Sequence, residues 1–112
     1  MFAHAGPMDT LSRLEATIIE RLGASPDASY VAQLHARGLK VIARKLGEEA
    51  TEAVVAALSG SDEELVGEAA DTLFHLLVLL AEKGIALADV LAELERREGK
   101  SGLAEKASRS AP

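Results

Sequence analysis

The chain has no cysteine, no tryptophan, three prolines and only three aromatic residues, Phe2, Tyr30 and Phe74. Without cysteine there is neither a disulfide framework nor a thiolate metal site, which agrees with a reducing cytoplasm. So few rings exclude the stacking platforms on which single-stranded nucleic acid is bound. Positive charge is also short: 12 Lys and Arg against 18 Asp and Glu leave a net charge of −6. That sign disfavours nucleic acid and anionic membranes, both of which reward clustered cations. The longest apolar run, Leu73 to Ala81, is interrupted by His75 and falls far below the ~20 residues of a membrane-spanning helix. The opening segment, Met1 to Met8, is uncharged apart from its amino terminus and broken by Gly6 and Pro7, so it does not read as a secretory leader.

What is present points to helices. Hydrophobic residues make up 48% of 112 residues, enough for one core, so residues 1–112 read as a single domain with 1–8 and 110–112 flexible. Ala and Leu recur at three- and four-residue spacing, with no sustained alternation of period two. A first helix starts at Asp9 or Thr10, carries Leu11, Leu14, Ile18 and Leu22 on one stripe, and stops at Gly23. Ser25-Pro26-Asp27 reads as a loop. A second helix runs from Tyr30 or Ala36 to Leu58, with a break expected near Gly38 and a stop at Gly60. Ser61 and Glu64 form a capping-box pattern, so a third helix is expected from Asp62 to Lys83, ending at Gly84. A fourth spans Leu87 to Arg97 and ends at Gly99. The polar tail from Lys100 onward is expected to be partly mobile.

From Leu73 to Leu80 the third helix is apolar on every side except at His75. Such a helix has no solvent face and needs cover on more than one side. A second copy of the chain is the natural cover, so a homodimer or larger assembly is expected.

Two acidic groups stand out: Glu48, Glu49 and Glu52 on the second helix, and Glu68 and Asp71 on the third. Spacing puts Glu49 with Glu52, and Glu68 with Asp71, on stripes that turn apolar within a turn or two. One such pair is ordinarily a solvated face; two in line with core positions point inward. Converging carboxylates repel unless a cation neutralises them, and oxygen-only ligands select Mg²⁺ or Mn²⁺ over Zn²⁺. Gly47 and Gly67 lie inside helices beside these groups, where glycine costs about 1 kcal/mol relative to alanine. They mark either a close helix crossing or room for a ligand. Arg37, Lys40, Arg44 and Lys45 precede the first acidic group, and Lys100, Lys106 and Arg109 punctuate the tail. Lys45 reads either as a salt bridge to Glu49 or as a phosphate contact. His75 follows Asp71 by four residues, not the Glu-x-x-His spacing of di-iron bundles, and reads as a satisfied core histidine or one supporting the ligands.

Gly47-Glu48-Glu49-Ala50-Thr51-Glu52 followed by Glu68-Ala69-Ala70-Asp71 resembles the Glu-Glu-x-x-Glu and Glu-x-x-Asp signature of the MazG-like all-α nucleotide pyrophosphohydrolases. Ser29-Tyr30 with Leu34 and Gly38, the run Leu73 to Leu80, and the tail Ser101 to Arg109 narrow that resemblance to the phosphoribosyl-ATP pyrophosphohydrolase family. It covers Asp9 to Arg109. The resemblance implies a four-to-five-helix MazG-like bundle completed by homodimerisation. It implies hydrolysis of phosphoribosyl-ATP between the α and β phosphates, the second step of histidine biosynthesis. It implies Mg²⁺ on Glu49, Glu52, Glu68 and Asp71, Glu48 as the acid that orients or deprotonates water, and substrate phosphate on Lys45, Arg44, Lys106 and Arg109. Two positions depart from the family pattern: Arg44 stands where lysine is usual, changing donor geometry, and Ala104 where glutamate is usual. The readings in competition are a housecleaning nucleoside triphosphate pyrophosphohydrolase and a non-enzymatic helical dimerisation module.

Overall fold

The computed structural model describes residues 7–98 together with residues 102, 106, 107 and 109. The described residues hold five helices and no strand: α1 Pro7–Leu22, α2 Tyr30–Arg37, α3 Leu39–Ser59, α4 Asp62–Glu82 and α5 Leu87–Arg97. The all-α expectation holds, and the sequence signals explain most boundaries. α1 begins two residues earlier than its expected cap, at Pro7, because proline fits the first helical position, where no N–H is needed. Of the ends expected to be flexible, residues 1–6 and 110–112 lie outside the described residues, as do Gly99 and Lys100.

Gly38 is the break between α2 and α3. Its φ of +99° is a left-handed conformation that L side chains avoid, so one long helix becomes two. Ser29 caps α2 by accepting from Ala32 N–H at 3.2 Å. At α4 the Ser61 hydroxyl accepts from Glu64 N–H at 3.1 Å, and the Glu64 carboxylate accepts from Ser61 N–H at 2.7 Å, completing the capping box. The other end of α4 closes in a Schellman motif: Ile85 N–H donates to Leu80 O and Gly84 N–H to Ala81 O, with Gly84 at φ +71°.

Every helix contributes to one core: Ile18 from α1, Val31 and Leu34 from α2, Ile42 from α3, Leu77 and Val78 from α4, and Leu87 from α5. α3 and α4, joined only by Gly60 and Ser61, form the most extensive helix pair, and α1 and α2 cover one side of that hairpin. α5 is anchored by buried Leu87 and by Glu15 of α1, whose carboxylate accepts from Leu87 N–H at 2.7 Å. That bond supplies the cap that Ala86, at the N-cap position, cannot give.

The apolar run of α4 is only partly covered within the chain. Leu77 and Val78 are buried and Leu76, Leu79 and Leu80 half-buried, whereas Val66 and Leu73, two turns apart on one stripe, are exposed. α3 likewise exposes Val54, Val55 and Leu58, the last at 84%. Ile42 is fully buried, so Ile42→Ala is expected to lower unfolding free energy by about 2–5 kcal/mol. Urea denaturation followed by circular dichroism checks this.

Candidate active site

The site forms where α3 runs alongside α4. Glu49 and Glu52 are one turn apart on α3; Glu68 and Asp71 are one turn apart on α4. Glu49 and Glu68 are half-buried while Glu52 and Asp71 are exposed, so the two pairs converge from the interior toward water. One carboxylate oxygen each from Glu49, Glu68 and Asp71 falls within 4.8 Å of the others. Glu52 lies outside that trio, yet its charge bears on both Glu49 and Glu68.

The electrostatics follow from that convergence. Burial pushes the Glu49 carboxyl above the ordinary carboxylate range, and repulsion from Glu52 and Asp71 adds to it. Glu68 is raised for the same reasons: burial first, then the charges of Glu52, Glu49 and Asp71. Glu93 on α5 shows the opposite case, held down at about 2 by hydrogen bonds from Arg96 and Arg97. Among the described residues no cation performs that service for Glu68. Its Oε1 is buried without a hydrogen-bond partner, and a carboxylate with an orphaned oxygen, clustered with two other carboxylates, is the environment a hard cation satisfies.

The backbone under these ligands is reinforced. The Thr72 hydroxyl donates to Glu68 O at 2.8 Å, and the His75 ring Nδ1 lies 2.8 Å from Asp71 O. On α3 the Thr51 hydroxyl donates to Gly47 O at 2.9 Å. Two grooves flank the cluster and share Glu52 as a wall. One, of about 600 Å³, is lined by Arg44, Gly47, Glu48, Thr51 and Glu52. The other, of about 310 Å³, runs past Val55, Ala56 and Ser59 to the α3–α4 turn and Glu68. Both volumes suit a small molecule.

A sequence model of the family described as phosphoribosyl-ATP pyrophosphohydrolase matches residues 11–98. The chain belongs to that family. It is 68% identical over 102 residues to a phosphoribosyl-ATP pyrophosphatase of Erythrobacter litoralis, covering 91% of this chain and 98% of the relative. Similar proteins of the same name occur in Novosphingobium aromaticivorans, at 65% identity with 91% and 95% covered, and in Rhizorhabdus wittichii, at 63% with 89% and 94%.

The stretch matched to the pyrophosphohydrolase family contains all four converging carboxylates and leaves Lys106 and Arg109 beyond it. These two are helical and exposed. Glu48 stands outside the carboxylate cluster, half-exposed, 3.6 Å from Arg44 and 3.7 Å from Lys45. The ion pair of Lys45 is therefore with Glu48 rather than with Glu49. Among the described residues nothing lies within 4 Å of where a Cβ would stand on Gly47 or Gly67, so none of the five helices crosses closely there and the glycines leave open space. His75 is a satisfied core residue, buried, with Nε2 3.2 Å from Tyr30 Oη. The pairing of Tyr30 with His75 carried no signal in the sequence, the two being 45 residues apart; Thr72, one turn past Glu68, was legible from spacing.

A carboxyl with a raised folded-state pKa binds its proton more tightly folded than unfolded. Its contribution to stability is present at low pH and is lost as pH rises from the ordinary value near 4.5 through the raised one. In chelator at pH 7, Glu68→Gln is therefore expected to melt above the wild type, and the two melting temperatures to converge near pH 4. Calorimetric scans across that range check the sign.

Proposed function

We propose that this chain hydrolyses phosphoribosyl-ATP to phosphoribosyl-AMP and pyrophosphate in histidine biosynthesis, in the cytoplasm, as a Mg²⁺-dependent enzyme. The observation that carries the reading is Glu68, which has a buried oxygen without a hydrogen-bond partner and clusters with Glu49 and Asp71, in a chain whose relatives bear that enzyme's name. Glu49, Glu52, Glu68 and Asp71 would hold the metal, Mn²⁺ being a natural substitute for an all-oxygen ligand set. Bound there, the ion supplies neutralisation of phosphate charge and a more acidic water.

The chain's own residues do the rest. Arg44 and Lys45, beside the larger groove, bind phosphate oxygens that a −6 protein would otherwise repel; Lys106 and Arg109 are assigned the same role from the tail. Glu48, adjacent in sequence to Glu49 and exposed to solvent, orients the attacking water and takes its proton. Water adds to the α phosphorus, the bond from that phosphorus to the α,β-bridging oxygen breaks, and pyrophosphate leaves. This requires positioning and charge stabilisation rather than a covalent nucleophile. Among the described residues no helix is long and apolar enough to cross a membrane.

The assembly is proposed to be a homodimer or larger. Val66 and Leu73 on α4, with Val54 and Leu58 on α3, are large apolar side chains left in water by the single chain, and a second copy removes that cost. Sedimentation of the wild type is expected to give at least twice the 11.7 kDa chain mass, and Leu58→Glu with Val66→Glu to shift it toward monomer. A stable wild-type monomer at micromolar concentration would count against the assembly.

The activity test follows pyrophosphate and orthophosphate separately, with phosphoribosyl-ATP, dUTP and ATP as parallel substrates. Mg²⁺-dependent pyrophosphate release from phosphoribosyl-ATP alone is expected. Asp71→Ala and Glu52→Ala are each expected to abolish it with helix content unchanged, and Mg²⁺ to raise the wild-type melting temperature but not that of Asp71→Ala. Release from dUTP in preference would assign the chain to triphosphate housecleaning, and release from none would leave a helical module.

A further inference from the structure

A buried histidine one turn below a site carboxylate is held from a different helix, and the reading above leaves that contact without a role. The Asp71 carbonyl is an acceptor only, so the His75 nitrogen 2.8 Å from it, Nδ1, carries the proton. In the neutral ring Nε2 is then an acceptor, and the Tyr30 hydroxyl, 3.2 Å away, donates to it. The chain of donors runs in one direction, from Tyr30 of α2 through the ring of His75 to the backbone of Asp71 on α4.

His75 is fixed by packing, while Tyr30, 46% exposed, is held by ring contacts and its helix cap. His75 is 5% exposed, and its ring meets those of Phe74 and Tyr30 edge-on, at 86° and 81°. Tyr30 and Phe74 lie nearly parallel, with centroids 6.1 Å apart. Tyr30 follows Ser29, the buried cap of α2, so its backbone is anchored. The tautomer of a histidine is set by the bond its other nitrogen makes. If Tyr30 did not donate, the ring could carry its proton on Nε2 and turn a lone pair toward the Asp71 carbonyl, repelling the turn that carries Asp71.

We propose that Tyr30 and His75 are positioning residues that lock the Asp71 turn of α4 in the place needed for metal binding, Tyr30 acting by fixing the tautomer of His75. The inference rests on the metal reading above. Ligand constellations tolerate displacements of about 0.5 Å, and loss of a hydrogen-bonding partner behind a ligand typically weakens metal affinity about 10–100-fold.

The test is Mn²⁺ titration of the purified protein by electron paramagnetic resonance, beside thermal melts in chelator. Tyr30→Phe keeps the ring stack and removes only the hydroxyl. It is expected to bind Mn²⁺ about tenfold more weakly than wild type. His75→Asn, which keeps a donor near the Asp71 carbonyl, is expected to retain more affinity than His75→Leu. In the His75→Asn background, Tyr30→Phe should weaken binding little further, because its intermediary is gone. Wild-type affinity in Tyr30→Phe, with or without a lower melting temperature, overturns the inference and leaves the metal reading standing. A wild type that takes up no Mn²⁺ overturns both. A nitrogen-15 spectrum of the wild-type imidazole needs no variant to fold: the Nδ1–H tautomer supports the inference, and the Nε2–H tautomer overturns it alone.

Discussion

Four carboxylates brought together along the α3–α4 pair are the constraint around which the molecule is arranged. Two of them, Glu49 and Glu68, are half-buried, and each is destabilised by the charges of the others as well as by its own desolvation. A protein designed for stability alone would replace them with apolar side chains. That the sequence keeps them, and that among the described residues no arginine or lysine pairs with Glu68 in the way that Arg96 and Arg97 serve Glu93, is a local conflict of the kind found at functional sites. The rest of the chain supplies the rigidity that holds such a conflict in place.

That rigidity comes from the ends and faces of the two long helices. α4 is closed at its start by the Ser61–Glu64 box and at its finish by the Gly84 turn, so its backbone groups are satisfied without help from the site. Between these ends, side chains of Thr72 and His75 bond back to the carbonyls of Glu68 and Asp71. Each carbonyl reinforced in this way belongs to a residue whose carboxylate enters the cluster. Polar side chains inside a helix usually compete with its ladder; here they are spent on the two turns where displacement would matter most.

Much of this was legible in the sequence, and the reasons are specific. Helix boundaries followed from Gly38, Gly60, Ser61 and Gly84 because caps and left-handed positions are local and residue-specific. Partial burial of Glu49 and Glu68 followed from the apolar continuation of their stripes, whereas Glu52 and Asp71, expected inward with them, are exposed. Other features were out of reach. The separation of Glu52 from the 4.8 Å trio depends on how α3 and α4 sit against each other. The pairing of Lys45 with Glu48 rather than Glu49 turns on rotamers. The link from Tyr30 to His75 crosses two helices. The earlier start of α1 is a smaller miss, since proline is a legitimate opening residue as well as a breaker.

The bond from Glu15 to the Leu87 amide joins residues 72 positions apart. Closing so long a segment of flexible chain costs about 4 kcal/mol in entropy, more than one hydrogen bond returns. It becomes favourable only when the intervening helices have already drawn α1 and the start of α5 together. The α3–α4 hairpin, by contrast, is joined by two residues and needs no such help. The order of assembly is thereby biased: the hairpin that carries the carboxylates forms early, and the clasp between α1 and α5 closes late. Read in reverse, the same order makes α5 the first part to detach when the native protein breathes, while the carboxylate hairpin stays intact.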